Sequence, residues 1–549
     1  MNKDLFAPAT VATPLVPLAD TNNAAGGAAY STGDEKALAQ IACTGAFGNT
    51  FYINGETQLA QLISAAERVS PEYLAQVTVY AHKHGLMKDT PAVLLAVLLT
   101  RSHDLFGRVF PRVINNAKML HNFAAVIRSG VTGRRNFGSV ARKLMADWLI
   151  NADVKKLLNG ASNNNPSLGD IIKMVRPKPR DDAQAAFFKW FAAKDKLTFA
   201  EHALLPEQVR ALDDFVTNRT DETDIPDVPF FFLEGLELSH SQQLQLAAQT
   251  SPVQSLKMIN TFNRKGLFGS LLPGSTDLTF KASLIEKLNN ITFDVKTKLF
   301  PFQAMTALFN LGAEIPGDVK ATVENLVNRT MAKAPVLKGH TLIAVDISSS
   351  MKSAVLGHHG KPSATTSCMD VAALIGVALR KQNPSDSAMA VFNQGISLYE
   401  PNLEHSVVTI ASALTSQANG GTDTAKVIEL LLTSYRAEYA KGNTGFKPID
   451  NIIIVSDNES WIGASGGSYT RSGTPLQHRW ADYLKDYNPK AKLLCININP
   501  EINVQVKDSF NAVNIGGFSD AIFPLIADFF NHDTQSDFWV ERIKTTVAL

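Results

Sequence analysis

Three cysteines in 549 residues are too few, and Cys43, Cys368 and Cys495 too widely spaced, for a disulfide framework or a zinc cluster. Thiols so scattered suit a reducing compartment, and a cytoplasmic location is the expectation. Long apolar runs are missing too. The longest, around Pro91–Leu99, reaches about half of the roughly 18–20 residues that a membrane helix needs. The first residues carry Asp4, Pro8, Pro14 and Pro17 and no apolar signal core, so no membrane partner is expected. The sequence is also poor in catalytic motifs. It has no H-E-x-x-H, no G-x-S-x-G and no nuclease-like set of carboxylates apart from the loops described below. Gly360-Lys361-Pro362 lacks the spacing and the hydroxyl of a phosphate-binding loop. His358-His359 has no metal-ligand partner at useful spacing and reads as surface loop. The expectation is a protein that is not an enzyme.

Charge is nearly balanced overall, at a net +1, but not evenly spread. Between Arg108 and Arg180 stand fourteen Lys/Arg against three Asp/Glu, while the remainder is acidic. A basic segment in a neutral chain points to a polyanion. Lys173, Arg176, Lys178 and Arg180 fall within eight residues, around Pro177 and Pro179, which stop a helix and stiffen the segment. Arg134 and Arg135 precede a helix on which Arg142 and Lys143 follow, and Lys118 and Arg128 extend the row. Such a surface binds phosphates with little regard to sequence and with steep salt dependence. No signature of a base-reading RNA module appears, and DNA is not an expected partner. The plainer reading is a set of solvated helix faces. His121 and Asn122 read as solvent-facing helix residues, and Trp148 and Trp190 as core rather than stacking platforms.

With 45% hydrophobic and 19% charged residues, the chain can bury sizeable cores, and its length implies several domains. Residues 1–33, rich in Ala, Thr, Pro and Gly, lack periodicity and read as a mobile arm. Residues 34–335 read as helix after helix. Ser70-Pro71 and Thr90-Pro91 place a capping hydroxyl before a proline at the first helical position, and Gly85 and Gly130 fall at helix stops. Helices are expected over 137–150, 183–193, 206–216, 241–248, 252–262, 278–288 and 317–331, more a helical-repeat solenoid than one bundle. In residues 336–549 the pattern changes. Short Val/Ile-rich strands at 341–345, 388–392, 451–456 and 492–498 alternate with helices at 368–382, 424–440, 475–486 and 519–530. This predicts a doubly wound, Rossmann-like α/β domain, with its ligand site at the carboxyl ends of the strands.

Three loops fall at that edge. The first strand runs into Asp346-Ile347-Ser348-Ser349-Ser350. Gly420-Gly421-Thr422-Asp423-Thr424 precedes a helix, and Val455-Ser456-Asp457 ends another strand. Two carboxylates and three hydroxyls, Asp346, Ser348, Ser350, Thr422 and Asp457, would suit a hard divalent cation, Mg²⁺ or Mn²⁺, with waters completing the shell. One position should stay open for an acidic oxygen from a partner. In the alternative, Ser348 and Ser350 bond only the turn backbone and Asp457 caps a helix; three such loops in the right order weigh against it.

These loops resemble the metal-ion-dependent adhesion site of a von Willebrand factor A domain, over residues 338–545. The resemblance implies that Ser348, Ser350 and Thr422 ligate the ion directly, and Asp346 and Asp457 directly or through water. Upstream, Gly138-Ser139-Val140-Ala141-Arg142-Lys143-Leu144-Met145-Ala146-Asp147-Trp148 and Ser167-Leu168-Gly169-Asp170-Ile171-Ile172-Lys173-Met174-Val175-Arg176-Pro177 resemble the TROVE domain. Together the two halves resemble the Ro ribonucleoprotein family, with bacterial or phage members in view. That implies an all-α ring of HEAT-like repeats closed by the A domain. A small noncoding Y-like RNA would bind the basic outer surface, and single-stranded ends of misfolded or structured RNA would enter the hole. It also implies RNA quality control with an exoribonuclease such as polynucleotide phosphorylase. The chain departs from the animal members at Arg176, where they carry histidine, and in the less basic stretch Asn159–Asn165. Two rival readings are a metal-dependent adhesion-like module without RNA and a chelatase-type accessory subunit. The basic segment opposes the first, and the TROVE-like segment opposes the second.

Overall fold

The structure, a computed structural model, describes residues 16–49, 52–161, 164–268, 276–291, 299, 301–355, 366–443, 445–460, 473–499, 501–517, 522–532 and 537–549. His358, His359, Gly360, Lys361 and Pro362 lie outside the described residues, as does the start of the arm. The chain forms two compact units: Leu62–Val327 with Thr546–Leu549, and Met1–Gln61 with Asn328–Thr545.

The first unit is helical, as its 3.6-residue periodicity requires. The helices Pro71–Lys83, Asp89–Arg101, His103–Val113, Ala117–Ser129, Gly138–Asn151, Leu168–Val175 and Asp182–Ala193 follow one another with short connections. Ser70 accepts a hydrogen bond from the Tyr73 N–H, with Pro71 at the first helical position. The same pattern at Thr90-Pro91 is used differently: that helix begins at Asp89, and Thr90 is buried inside its first turn. Gly130, at φ 82°, closes the helix before it in the left-handed region that only glycine enters cheaply. The later helices Glu207–Asn218, His240–Gln249, Pro252–Arg264, Thr276–Asn289 and Gly317–Met331 lie within a residue or two of expectation. Among the described residues no helix is long and apolar enough to cross a membrane.

The second unit holds two sheets. Strands β1 (Thr21–Asn22) and β2 (Ala28–Ala29) form a small hairpin. Strands β3 (Thr341–Asp346), β4 (Ser387–Phe392), β5 (Ile396–Leu398), β6 (Asn451–Ser456), β7 (Lys492–Asn497) and β8 (Ala512–Gly516) form a six-stranded sheet in the order β5-β4-β3-β6-β7-β8. All its pairings are parallel except that of β4 with the edge strand β5. Every residue of β3 and β6 is buried, which is why these strands read as unbroken apolar runs. The helices Cys368–Gln382, Ala425–Ala440 and Pro475–Asp486 complete the doubly wound arrangement. Gly376 lets the first of them lie close to the sheet, since a Cβ there would meet Val345 Cγ2 at 2.5 Å.

The division of the chain at residues 33 and 335 needs correction at its first boundary. Where it is described, the arm is not free. Tyr30 exchanges backbone hydrogen bonds with Val504, and the following helix, Asp34–Thr44, packs on β8. Lys36 pairs with Asp508, and Gln40 Nε2 donates to the Asn499 carbonyl. Up to residue 33 the segment has no periodicity because, beyond the short β1–β2 hairpin, it is held by hydrogen bonds to loops of the sheet unit.

Candidate cation site and basic surface

The order of the strands puts β3 at the point where the sheet is wound in both directions, with β4 on one side and β6 on the other. The loops leaving β3 and β6 therefore part there and leave a crevice. Asp346 is the last residue of β3, and Asp457 directly follows β6. Backbone hydrogen bonds lash the middle loop to the first: Ser349 N–H donates to the Gly420 carbonyl at 2.9 Å, and Asn419 N–H to the Ile347 carbonyl at 3.0 Å. The third loop is tied in by Ser460, whose hydroxyl donates to the Thr422 carbonyl at 3.3 Å and accepts from the Thr424 N–H at 3.2 Å. Asp346, Ser348, Ser350 and Asp457 thus lie together, and the loop that carries Thr422 is tied to theirs.

Their roles are not equal. Both Asp346 oxygens are engaged, Oδ1 by the Ser348 N–H at 2.8 Å and Oδ2 by the Ser456 hydroxyl at 2.6 Å. This carboxylate positions Ser348 rather than pointing a free oxygen at an ion. Ser348 Oγ and Ser350 Oγ stand 3.2 Å apart. Asp457 accepts from the Glu459 N–H through Oδ1, while its Oδ2 is buried with no partner. Two adjacent hydroxyls and an orphaned carboxylate oxygen are a donor set that fits a hard cation. Among the described residues no group of three or more His, Cys, Asp or Glu is arranged to hold a metal, so any ion here depends on the hydroxyls.

The site is also more acidic than the motifs indicate. Glu459 and Glu501 are buried beside it, and each has an Oε1 without a hydrogen-bond partner. Burial first, and the neighbouring carboxylates after it, push the acids Asp346, Glu459 and Glu501 above their usual range; burial alone pushes Asp457 up. Among the described residues no lysine or arginine figures among the groups acting on these four carboxylates. Sequence reading missed Glu459 and Glu501, because neither belongs to the three motif loops; a count of acids just beyond the ends of β6 and β7 would have found both. It also missed Ser456, although that residue lies inside a quoted motif.

Among the described residues the site is shut off from solvent. Asp346, Ser348 and Asp457 are each 0% exposed and Ser350 4%. The cover comes from the N-terminal segment. Ala25 N–H donates to Glu459 Oε2 at 2.9 Å, and Asn23 Nδ2 to the Ser460 carbonyl at 2.8 Å. Burial first, with the negative charge of Asp457, Glu459 and Asp346, holds the pKa of the Tyr52 phenol above the usual value.

In the helical unit, nine of the ten anticipated cations, Lys118, Arg128, Arg135, Arg142, Lys143, Lys173, Arg176, Lys178 and Arg180, are exposed and Arg134 is partly so. None of the ten forms an ion pair among the described residues. Lys173 lies in the last turn of the helix Leu168–Val175, which ends on Arg176 in a left-handed conformation at φ 54°. Arg128 reaches the same helix, its Nη1 lying 2.9 Å from Met174 Sδ. Arg180 Nη2 instead donates to the Ile150 carbonyl, and Lys118 Nζ to Asn164 Oδ1 at 3.3 Å. These contacts bring Arg128 and Lys173 together, and they anchor Arg180 and Lys118 elsewhere.

Two residues in this region differ from expectation. His121 is not solvent-facing: it is 2% exposed, with its ring nitrogens 2.9 Å from the Pro166 and Gly160 carbonyls. Burial holds its pKa below the usual value against the pull of those carbonyls. The helix turns this position inward where a loop needs its carbonyls satisfied. Trp190 is core, packed with Phe187, Phe191 and Phe232, but Trp148 is only half-buried.

No family model matches the chain. A curated relative, the RNA-binding protein RO60 of Deinococcus radiodurans, is 24% identical over 479 residues, covering 80% of this chain and 83% of the relative. The crystal structure of the Deinococcus radiodurans Ro (RSR) protein superposes with a TM-score of 0.56 at 16% identity, over 90% of this chain and 99% of that one. The resemblance to the Ro family carried by the motifs of both halves therefore stands, in sequence across four-fifths of the chain and in fold across nine-tenths.

Proposed function

We propose that this is a non-catalytic RNA-binding protein of the Ro type. The observation that carries the reading is the set of exposed, unpaired cations between Lys118 and Arg180, on a chain similar to a protein named for RNA binding. Cations held without acidic partners lose little on meeting phosphates and release counterions in doing so. In finer detail, a small Y-like RNA would lie on this surface and single-stranded ends of misfolded RNA would pass to an exoribonuclease, in the cytoplasm. Three free, buried cysteines suit that compartment.

The A-domain site is read as holding Mg²⁺ or Mn²⁺ on Ser348, Ser350 and Thr422, with Asp457 and, behind Ser348, Asp346. Support comes from the orphaned Asp457 oxygen and the paired hydroxyls. Bound there, the ion supplies positive charge and a fixed geometry. The experiment that tests the RNA reading is to purify the protein from its own host and sequence what copurifies. A small structured RNA enriched far above ribosomal background is expected; no enrichment would remove the reading.

A further inference from the structure

Three consecutive phenylalanines, Phe230–Phe232, form a turn of 3₁₀ helix in the helical unit, and none of them is buried. Contiguous apolar surface left open in this way marks a place of interaction. The turn belongs to a chain of aromatic contacts. Ring centres lie 4.7 Å apart between Phe231 and Phe232, 6.0 Å between Phe232 and Trp190, and 5.0 Å between Trp190 and Phe191. Two cavities share this turn: Phe232 lines one, and Phe230 and Phe231 line the other. Their volumes, about 360 and 440 Å³, fall within the roughly 300–1,000 Å³ of small-ligand sites.

The smaller cavity is lined by Trp190, Phe191, Phe232, Leu212 and Val216, with the start of the helix Leu168–Val175 as a further wall. Gly169 lets that helix start close in, since a Cβ there would meet the Phe191 carbonyl oxygen at 2.2 Å. Trp190 is 7% exposed, and Lys194 Nζ stands over its ring, 5.4 Å from the centre. The face of the indole is therefore taken, but its edge is not: Nε1 is buried without a hydrogen-bond partner among the described residues. A buried donor of this kind calls for an acceptor. The larger cavity sets Phe230 and Phe231 beside three amides, Gln208, Gln249 and Gln254, and beside Lys155. None of the three amide side chains makes a hydrogen bond among the described residues. Both cavities thus pair aromatic rings with unused hydrogen-bonding groups.

A wholly apolar ligand would leave the amides and the indole N–H unanswered. An unpaired nucleobase answers both kinds of group, with a flat face that stacks and an edge of donors and acceptors. The surrounding charge agrees. The helix that walls the smaller cavity runs from Gly169 to Lys173 in about 6 Å and ends on Arg176, and Arg128 reaches it from the side. A strand whose phosphates meet those cations passes the mouth of the cavity. We propose that the two cavities sharing Phe230–Phe232 are base pockets for single-stranded RNA. One unstacked base lies against Phe191 and Phe232 and accepts the Trp190 N–H; another lies against Phe230 and Phe231 with its edge on the glutamines. The inference rests on the RNA reading proposed above and gives it a base-dependent part that no sequence signature announces.

The test uses the full-length chain and a structured RNA with a single-stranded tail. A matching series lacks the base, but keeps the phosphate, at each tail position in turn. Affinity is measured by fluorescence anisotropy over a range of salt. At one or more positions the missing base should weaken wild-type binding about tenfold, the order of one stacked base. The salt slope should stay the same, because no phosphate contact is lost. Phe231→Ala removes a ring from the larger pocket, and Val216→Trp fills the smaller one from a position 45% exposed. Each should bind intact RNA about tenfold more weakly and lose the penalty at one tail position. Trp190→Phe, which keeps a ring and loses only the N–H, should keep the penalty but discriminate less between bases at that position. Equal wild-type affinity across the whole series would overturn the pockets, leave the phosphate reading standing and give the cavities to another occupant, such as a peptide. An undiminished penalty in both Phe231→Ala and Val216→Trp would overturn them as well. Absence of any RNA binding by the wild type would overturn both readings.

Discussion

The two compact units arrange charge in opposite ways. In the helical unit the ten cations anticipated from the sequence lie wholly or partly at the surface, and none of them forms an ion pair among the described residues. In the A-domain unit four carboxylates lie inside, with no exposure above 2% and, among the described residues, no basic neighbour acting on them. Surface charge of one sign acts at long range, tolerates displacement by an ångström and weakens with salt. Buried charge of one sign must be compensated where it stands, by an ion held to a fixed geometry or by protons. The first charge pattern suits a large, variable polyanion and the second suits something small.

The largest expected effect would test whether these two chemistries are separate. Ser348→Ala with Ser350→Ala should abolish Mn²⁺ binding in calorimetry while leaving the affinity for RNA with a single-stranded tail unchanged. Loss of RNA binding in the well-folded double variant would mean that the units do not divide the work. The next effect runs the other way. Reversing Lys173, Arg176, Lys178 and Arg180 to Glu should weaken RNA binding on the order of a hundredfold and reduce the salt slope by roughly 0.7 for each lost contact to single-stranded phosphate. Mn²⁺ affinity should not change. Of the four, Arg180 alone should contribute least, because its guanidinium already serves the Ile150 carbonyl.

A smaller effect distinguishes surface from core within the basic unit. His121→Ala would leave one of the Pro166 and Gly160 carbonyls, whichever the neutral ring donates to, without its donor in a buried setting, which costs about 1–3 kcal/mol. Urea denaturation should register that loss, with RNA affinity of the folded fraction unaltered. Weaker RNA binding at unchanged stability would return His121 to the surface role that its sequence position suggested.

The contrast in charge placement also explains what the sequence disclosed. The strands β3 and β6 and the helices Cys368–Gln382 and Pro475–Asp486 are legible almost to the residue, because burial on both faces and capped helix starts leave strong local marks. Asp346, Ser348 and Ser350 are legible for the same reason: one turn carries all three. Glu459 and Glu501 belong to the same site but come from loops about a hundred residues and more beyond that turn, with no shared spacing to betray them. Strand β8 and the docking of the arm were illegible because their stability lies in pairing with other parts of the chain, and β1 and β2 because two residues each leave no alternation to read. On the basic surface, residue types and exposure could be read, but not which cations stand together: only the fold reveals that Arg128 reaches the helix carrying Lys173 while Arg180 turns to Ile150.

The smallest effect concerns how that surface is held. The helix Leu168–Val175 opens with a capping box: Ser167 Oγ accepts from the Asp170 N–H at 3.1 Å, and Asp170 Oδ2 accepts from the Ser167 N–H at 3.0 Å and hydroxyl at 2.6 Å. Those bonds from Ser167, with the Lys173 and Arg128 charges behind them, hold the Asp170 carboxyl below its ordinary 3.8. Ser167→Ala should therefore cost about 1 kcal/mol in urea denaturation, as cap removals do. A carboxyl with a depressed folded pKa gives stability that is present above its unfolded value and lost as pH falls through the folded one. The penalty of Ser167→Ala should thus be full at neutral pH and shrink below pH 3.8. RNA affinity should fall by less than for any single charge reversal, because the cap sets only the starting point of a helix whose far end carries Lys173 and Arg176. A loss of RNA binding as large as that of Lys173→Glu would show that the cations depend on exact placement, and the helical unit would then resemble the A-domain site in the one respect where the two are held to differ.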